Sequence, residues 1–135
     1  MKKCMQVLLF VFPMMYLAGC NADLKIKDFD VDWKDDIKRV NAKIENDGSK
    51  GTGPFLVYFS GEEDPVSPSY SPLIVKNVNG LAEDEEINLS ADFASLARPE
   101  NVNLANVKKI VIVVDPTGLV KESDEKNNIK SKSVP

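Results

Sequence analysis

Beyond residue 23, apolar residues return at every second position, in short bursts separated by turn formers. No amphipathic helical stretch of useful length interrupts them. A period of two belongs to an extended strand with one face covered, so this alternation confines the chain to β architectures. Leu24 and Ile26 alternate with Lys25 and Lys27, and the apolar phase then slips to Phe29, Val31 and Trp33. The slip predicts one extra residue, as a bulge or as a strand crossing between sheets. Val40, Ala42 and Ile44 predict a second strand, whose other side carries Arg39, Asn41, Lys43 and Glu45.

Residues 46–54 (NDGSKGTGP) are dense in turn formers. Phe55 to Phe59 follow as a strand apolar on both sides, which predicts a central place or cover from a second sheet. Residues 61–72, with three prolines, read as a loop or a protected edge. Leu73, Ile74, Val75 and Val78 predict a short strand before a turn at Asn79-Gly80. Ile87, Leu89, Ala91 and Phe93 alternate with Asn88, Ser90 and Asp92. Residues 97–106 read as a loop or a single helical turn. Ile110 to Val114 are all Ile or Val, as a strand covered on both faces requires. Asn128 to Val134 predict a last strand rich in Lys and Ser, a solvated edge. The expectation is an all-β, immunoglobulin-like antiparallel β-sandwich of about seven strands over residues 24–135.

The start of the chain has a different character. Lys2 and Lys3 precede an apolar run from Val7 to Leu17, which contains Pro13 and falls short of the about 20 residues of a membrane span. Leu17-Ala18-Gly19-Cys20 closes it, and the arrangement resembles the signal peptide and lipobox of a bacterial lipoprotein. That resemblance implies cleavage of residues 1–19, lipidation of Cys20, and a tether of residues 20–23 holding the domain to a membrane of the cell envelope. Asn21, where an Asp would imply retention at the inner membrane, favours the outer membrane.

Cleavage also empties the domain of sulfur. Cys4 and all four methionines lie in the leader, and Cys20 is spent on lipid. No disulfide, thiol nucleophile or sulfur metal ligand remains. Without Lys2 and Lys3, 15 basic residues face 21 acidic ones, a balance of −6. An acidic surface repels nucleic acid and anionic headgroups, which excludes nucleic acid as the expected partner.

Val113-Val114-Asp115-Pro116-Thr117-Gly118-Leu119-Val120-Lys121-Glu122-Ser123-Asp124-Glu125-Lys126-Asn127-Asn128 resembles the C-terminal signature of CARDB, the cell-adhesion-related domain found in bacteria. Asp23-Leu24, Ile44-Glu45-Asn46-Asp47-Gly48, Gly53-Pro54-Phe55 and Leu81 to Leu89 agree with that family in order and spacing. Trp33-Lys34-Asp35-Asp36 departs from it, where the family has a looser Pro- or Gly-rich turn. The signature also has a bare physical reading. Asp115 and Pro116 stop a strand, Gly118 supplies positive φ, Leu119 or Val120 plugs the sandwich end, and Asn127 and Asn128 bond loop backbone or take left-handed geometry.

Candidate chemistry is sparse. Asp115, Glu122, Asp124 and Glu125 could gather oxygens around calcium, but solvated acidic turns account for them equally well. The Asn46-Asp47-Gly48 turn lacks the ligand spacing of a calcium loop. With no histidine, zinc and the usual nucleophile–base pairs lose their ligands and bases. Glu62, Glu63 and Asp64, and Glu83 to Glu86, are carboxylate clusters in turn-like segments and read as solvated charge. Of the aromatics Trp33, Tyr58 and Tyr70, the first two are expected in the core and Tyr70 is the candidate for an exposed contact.

The resulting expectation is a non-enzymatic binding, adhesion or scaffolding module. It is held to the membrane by lipid on Cys20 and has no cofactor, no assigned metal ligands and no catalytic residues. Its partner is an envelope protein or glycan. A calcium-dependent adhesive module and an accessory subunit of an envelope export or assembly complex are the alternatives.

Overall fold

The computed structural model describes residues 21–63, 72–96 and 104–135. The leader, Cys20, Asp64 and Tyr70 lie outside the described residues, as do residues 97–103. Seven strands are described: β1 (Leu24–Trp33), β2 (Lys38–Asn46), β3 (Phe55–Glu63), β4 (Pro72–Val78), β5 (Glu86–Asp92), β6 (Val107–Val114) and β7 (Ile129–Ser133). A 3-10 turn at Leu104–Asn106 precedes β6. They form two antiparallel sheets in the orders β1-β2-β5 and β4-β3-β6-β7, the two-layer sandwich the alternation predicts. Among the described residues no helix is long and apolar enough to cross a membrane.

The phase slip in β1 is a bulge within one sheet. Ile26 pairs with Ile44 and Asp28 with Lys43, leaving Lys27 as the extra residue. Beyond it Phe29, Val31 and Trp33 keep the inward side. Lys34 and Ile37 then exchange reciprocal backbone hydrogen bonds of 2.8 and 3.2 Å, so the departure at Trp33–Asp36 is a tight turn.

Strand β3 runs further than its sequence suggests. Gly61 and Glu62 pair with Ile110 and Lys109, where a loop was expected from residue 61. The backbone of β6 offers a partner that outweighs the weak strand propensity of Gly and Glu. Pro72 opens β4 at a sheet edge, a position where its missing donor costs no ladder bond.

Between the sheets lie Phe55, Phe59, Phe93, Leu24, Ile26, Ile44, Ile110 and Ile112, all fully buried. Each such side chain contributes about 1.5–3 kcal/mol. Trp33 closes the far end against Phe93, ring centroids 5.5 Å apart.

Candidate functional site

Antiparallel order sends three connections to the end where β1 starts: residues 47–54, 79–85 and 115–128. Here the chain buries polar groups. Asn46 is 0% exposed. Its Oδ1 accepts the N–H of Asp23 (3.0 Å) and Gly48 (3.1 Å), while its Nδ2 donates to the carbonyls of Lys50, Leu81 and Ala82. At Gly48 a Cβ would fall 2.3 Å from the Asn21 carbonyl oxygen, so only glycine lets the start of the chain pass so close.

The 115–128 loop folds over the same end. Asp115 adopts positive φ (50°), and its carboxylate accepts the N–H of Leu119 and Val120, both at 2.9 Å. Gly118 takes the predicted positive φ (65°). Val120 is the plug, and Leu119 faces solvent. Glu122, 8% exposed, accepts the Leu24 N–H at 2.9 Å and Asn128 Nδ2 at 2.7 Å. Burial pushes its carboxyl up to about 7; the bonds from Asn128 and Leu24 pull the other way, and the charges of Glu125 and Asp115 add to the rise. Ala22 bridges to Glu122, and Asn127 Nδ2 donates to Asp23 Oδ1 at 3.0 Å. The two asparagine amides therefore bond carboxylates, where loop backbone was expected. A carboxylate is the stronger acceptor.

This end cap commits most of its polar groups, although the Oδ1 atoms of Asn127 and Asn128 are buried without a hydrogen-bond partner among the described residues. Asp124 accepts the N–H of Lys126, so the four calcium candidates serve separate local bonds or face solvent. Among the described residues no group of three acids converges as a metal cage would require. The carboxylate clusters also disperse: Glu62 pairs with Lys109 (3.2 Å), Glu85 caps the Ala82 N–H, and Glu86 bonds Lys27 at 2.8 Å.

The two outer faces of the sandwich differ sharply. That of β1-β2-β5 is laced with ion pairs: Lys25 with Asp47, Lys27 with Glu45 and Glu86, Lys43 with Glu86, Arg39 with Asp92. The face of β4-β3-β6-β7 is apolar along one row. Val75 pairs with Tyr58, Tyr58 with Val113, and Val113 with Ile129, and directly paired residues share a face. None of the four packs in the core cluster, whereas their neighbours Val57, Phe59, Ile112 and Val114 do. Val75 is 46% and Ile129 60% exposed.

Here the sequence expectation errs at Tyr58, which lies on the outer row, not in the core. The second side of Ile110–Val114 is half-buried at Val113 and buried at Val111, which pairs with the equally buried Ser60. An apolar run marks both sides of a strand but cannot say whether a layer covers the second. Tyr58, Leu56 and Val113 were the available signal, and only the register joins them to Val75 and Ile129.

The CARDB family model matches residues 21–132. The chain belongs to the CARDB family. Among solved structures it is similar to a domain of a cell-surface protein from Methanosarcina acetivorans, at 19% identity over 84% of this chain and 90% of that one (TM-score 0.63). It is similar as well to the CARDB domain of a Pyrococcus furiosus protein in complex with di-metal ions, at 20% identity over 84% and 87% (TM-score 0.60). At these identities the likeness carries the immunoglobulin-like fold alone. Among curated proteins no significant relative is found.

Proposed function

We propose that this CARDB chain is a lipid-anchored, non-catalytic binding and adhesion module of the cell envelope, with Cys20 the acylated residue and the outer membrane its address. The observation that carries the binding reading is the apolar row across the β4-β3-β6-β7 face. Four aligned apolar side chains, Val75 and Ile129 exposed and Tyr58 and Val113 half-buried, on a chain that spends charge freely elsewhere, mark a surface kept for contact. The anchor reading is supported by Leu17-Ala18-Gly19-Cys20 and by where the chain emerges. The Asn21 carbonyl already accepts the Ser49 N–H (3.1 Å), and Ala22 is bridged to Glu122. The end cap would then sit against the bilayer, with the strands and both outer faces standing away from it.

Mass spectrometry of the native polypeptide tests the anchor; the expected amino terminus is an acylated Cys20, and an intact leader would overturn it. For the face, the full chain carrying Val75→Cys and a thiol-reactive photoprobe should crosslink to a macromolecule in intact cells. A folded chain that labels nothing would remove the binding reading.

The di-metal complex of the Pyrococcus relative raises metal-dependent binding as a second reading. The residues here do not fit it, because the oxygens of Asp115 and Glu122 are committed to the chain's own donors.

A further inference from the structure

We propose that the partner of the apolar face is a second copy of this chain, packed sheet to sheet in parallel, with both end caps on the same side. The inference rests on the reading of that face as a contact surface, and three observations choose the occupant.

The first is charge. The chain is acidic, formally −4, so two copies repel each other wherever unpaired charge meets. On the outer side of β3 and β6 the charged residues are Glu62 and Lys109, paired with each other at 3.2 Å. This is the surface on which like-charged copies can approach.

The second is symmetry. Face-to-face association of identical sheets places the two-fold axis in the interface plane. With the axis along the strands, between β3 and β6, each strand lies over its counterpart in reverse order. Val75 then meets Ile129 of the other copy, and Tyr58 meets Val113. Glu62 and Lys109, direct partners across β3 and β6, exchange: each Lys109 lies over the other copy's Glu62. The face is complementary to itself in charge. An axis across the strands would instead stack Val75 on Val75 and leave Glu62 and Lys109 without a counter-charge. Charge complementarity selects the parallel arrangement.

The third is area. Four strands spaced at about 4.8 Å span roughly 19 Å, and their mean length of about seven residues gives roughly 23 Å. The footprint is roughly 440 Å² per copy, or 900 Å² in total. This lies below the about 1,200 Å² of stable complexes, in the range of transient ones. The dimer is therefore weak, suited to molecules held at high local concentration.

Two measurements test this on the full chain. In sedimentation equilibrium the wild type should show a concentration-dependent dimer. Glu62→Lys and Lys109→Glu should each weaken association at least tenfold, and an equimolar mixture of the two variants should restore it as a mixed dimer. Both variants break the same intramolecular pair, so restoration on mixing reports a contact between copies. In cells, two differently tagged copies carrying Val75→Cys and Ile129→Cys should join through a short bis-maleimide linker, beyond the background of the chain with its native cysteines. A Val75→Cys copy linked only to itself would overturn the parallel arrangement. A wild type that stays monomeric, or no restoration on mixing, would overturn the dimer. A photoprobe at Val75 that labels only a different macromolecule sinks the second copy while the contact reading stands; labelling of nothing sinks both. Thermal melts confirm folding, and Ile129→Lys, on an exposed edge strand, is a further weakening variant that spares the core.

Discussion

At the end cap a carboxylate and two amides, Glu122, Asn46 and Asn128, lie buried; across the β4-β3-β6-β7 face Val75, Tyr58, Val113 and Ile129 lie toward water. The two regions invert the usual distribution in opposite directions, and the difference lies in how far each group is satisfied within its own chain. The buried polar atoms are nearly all committed to hydrogen bonds, so they stabilise the fold. Among the described residues no strand lies over the outer row, so what its side chains gain on further burial comes from another molecule. A buried polar group without partners is costly; an exposed apolar row costs little in the monomer and gains on contact.

The contrast breaks most visibly at Asn46. Asn46→Ala strands two N–H donors and three carbonyls at the end cap. It should destabilise the chain by about 3–4 kcal/mol, measured by urea unfolding, with no specific loss at the apolar face. A destabilisation under about 1 kcal/mol would mean the cap is not held by this amide.

Proton linkage comes next. Glu122 is raised from 4.5 to about 7 in the fold, so the folded state holds an extra proton between those values. Its contribution is full below 4.5 and is lost as pH rises through about 7, roughly 3 kcal/mol in all. Stability of the wild type relative to Glu122→Gln should fall by that amount across this window. Glu86, held below 4.5 first by its hydrogen bond from Lys27, works in the opposite sense. Its contribution is present above 4.5 and is lost as pH falls through the lowered value.

At the outer row the signs reverse. Val113→Thr keeps shape and places a hydroxyl in water, so stability should move by less than about 0.5 kcal/mol while self-association weakens severalfold. Ile112→Ala, one residue away but inward, should cost about 2–5 kcal/mol. Equal losses for the two would erase the distinction between the faces.

The smallest effect belongs to the charged face. Arg39→Ala removes a pair at 3.8 Å, worth less than about 1 kcal/mol and screened by salt.

Much of the fold was legible in the residues. The slip between Ile26 and Phe29 marked the bulge because side-chain parity is local. Ile110 to Val114 marked a central strand, and the lysines of β7 marked an edge. The site was less legible. Asp115 and Gly118 announced their turn, but the distance of 98 positions between Glu122 and Leu24 leaves no trace in spacing. Glu122 looked like one more loop acid, and Tyr58 like one more core aromatic.

The residues alone determined the strands, their inward sides, the sulfur-free core and the family signature, because alternation, β-branching and turn chemistry act over a few neighbours. Only the tertiary structure decided which apolar side has a layer above it and which acid is sealed from water. Both depend on pairings between strands far apart in the chain, and a one-dimensional pattern does not record what lies on the other side of a sheet.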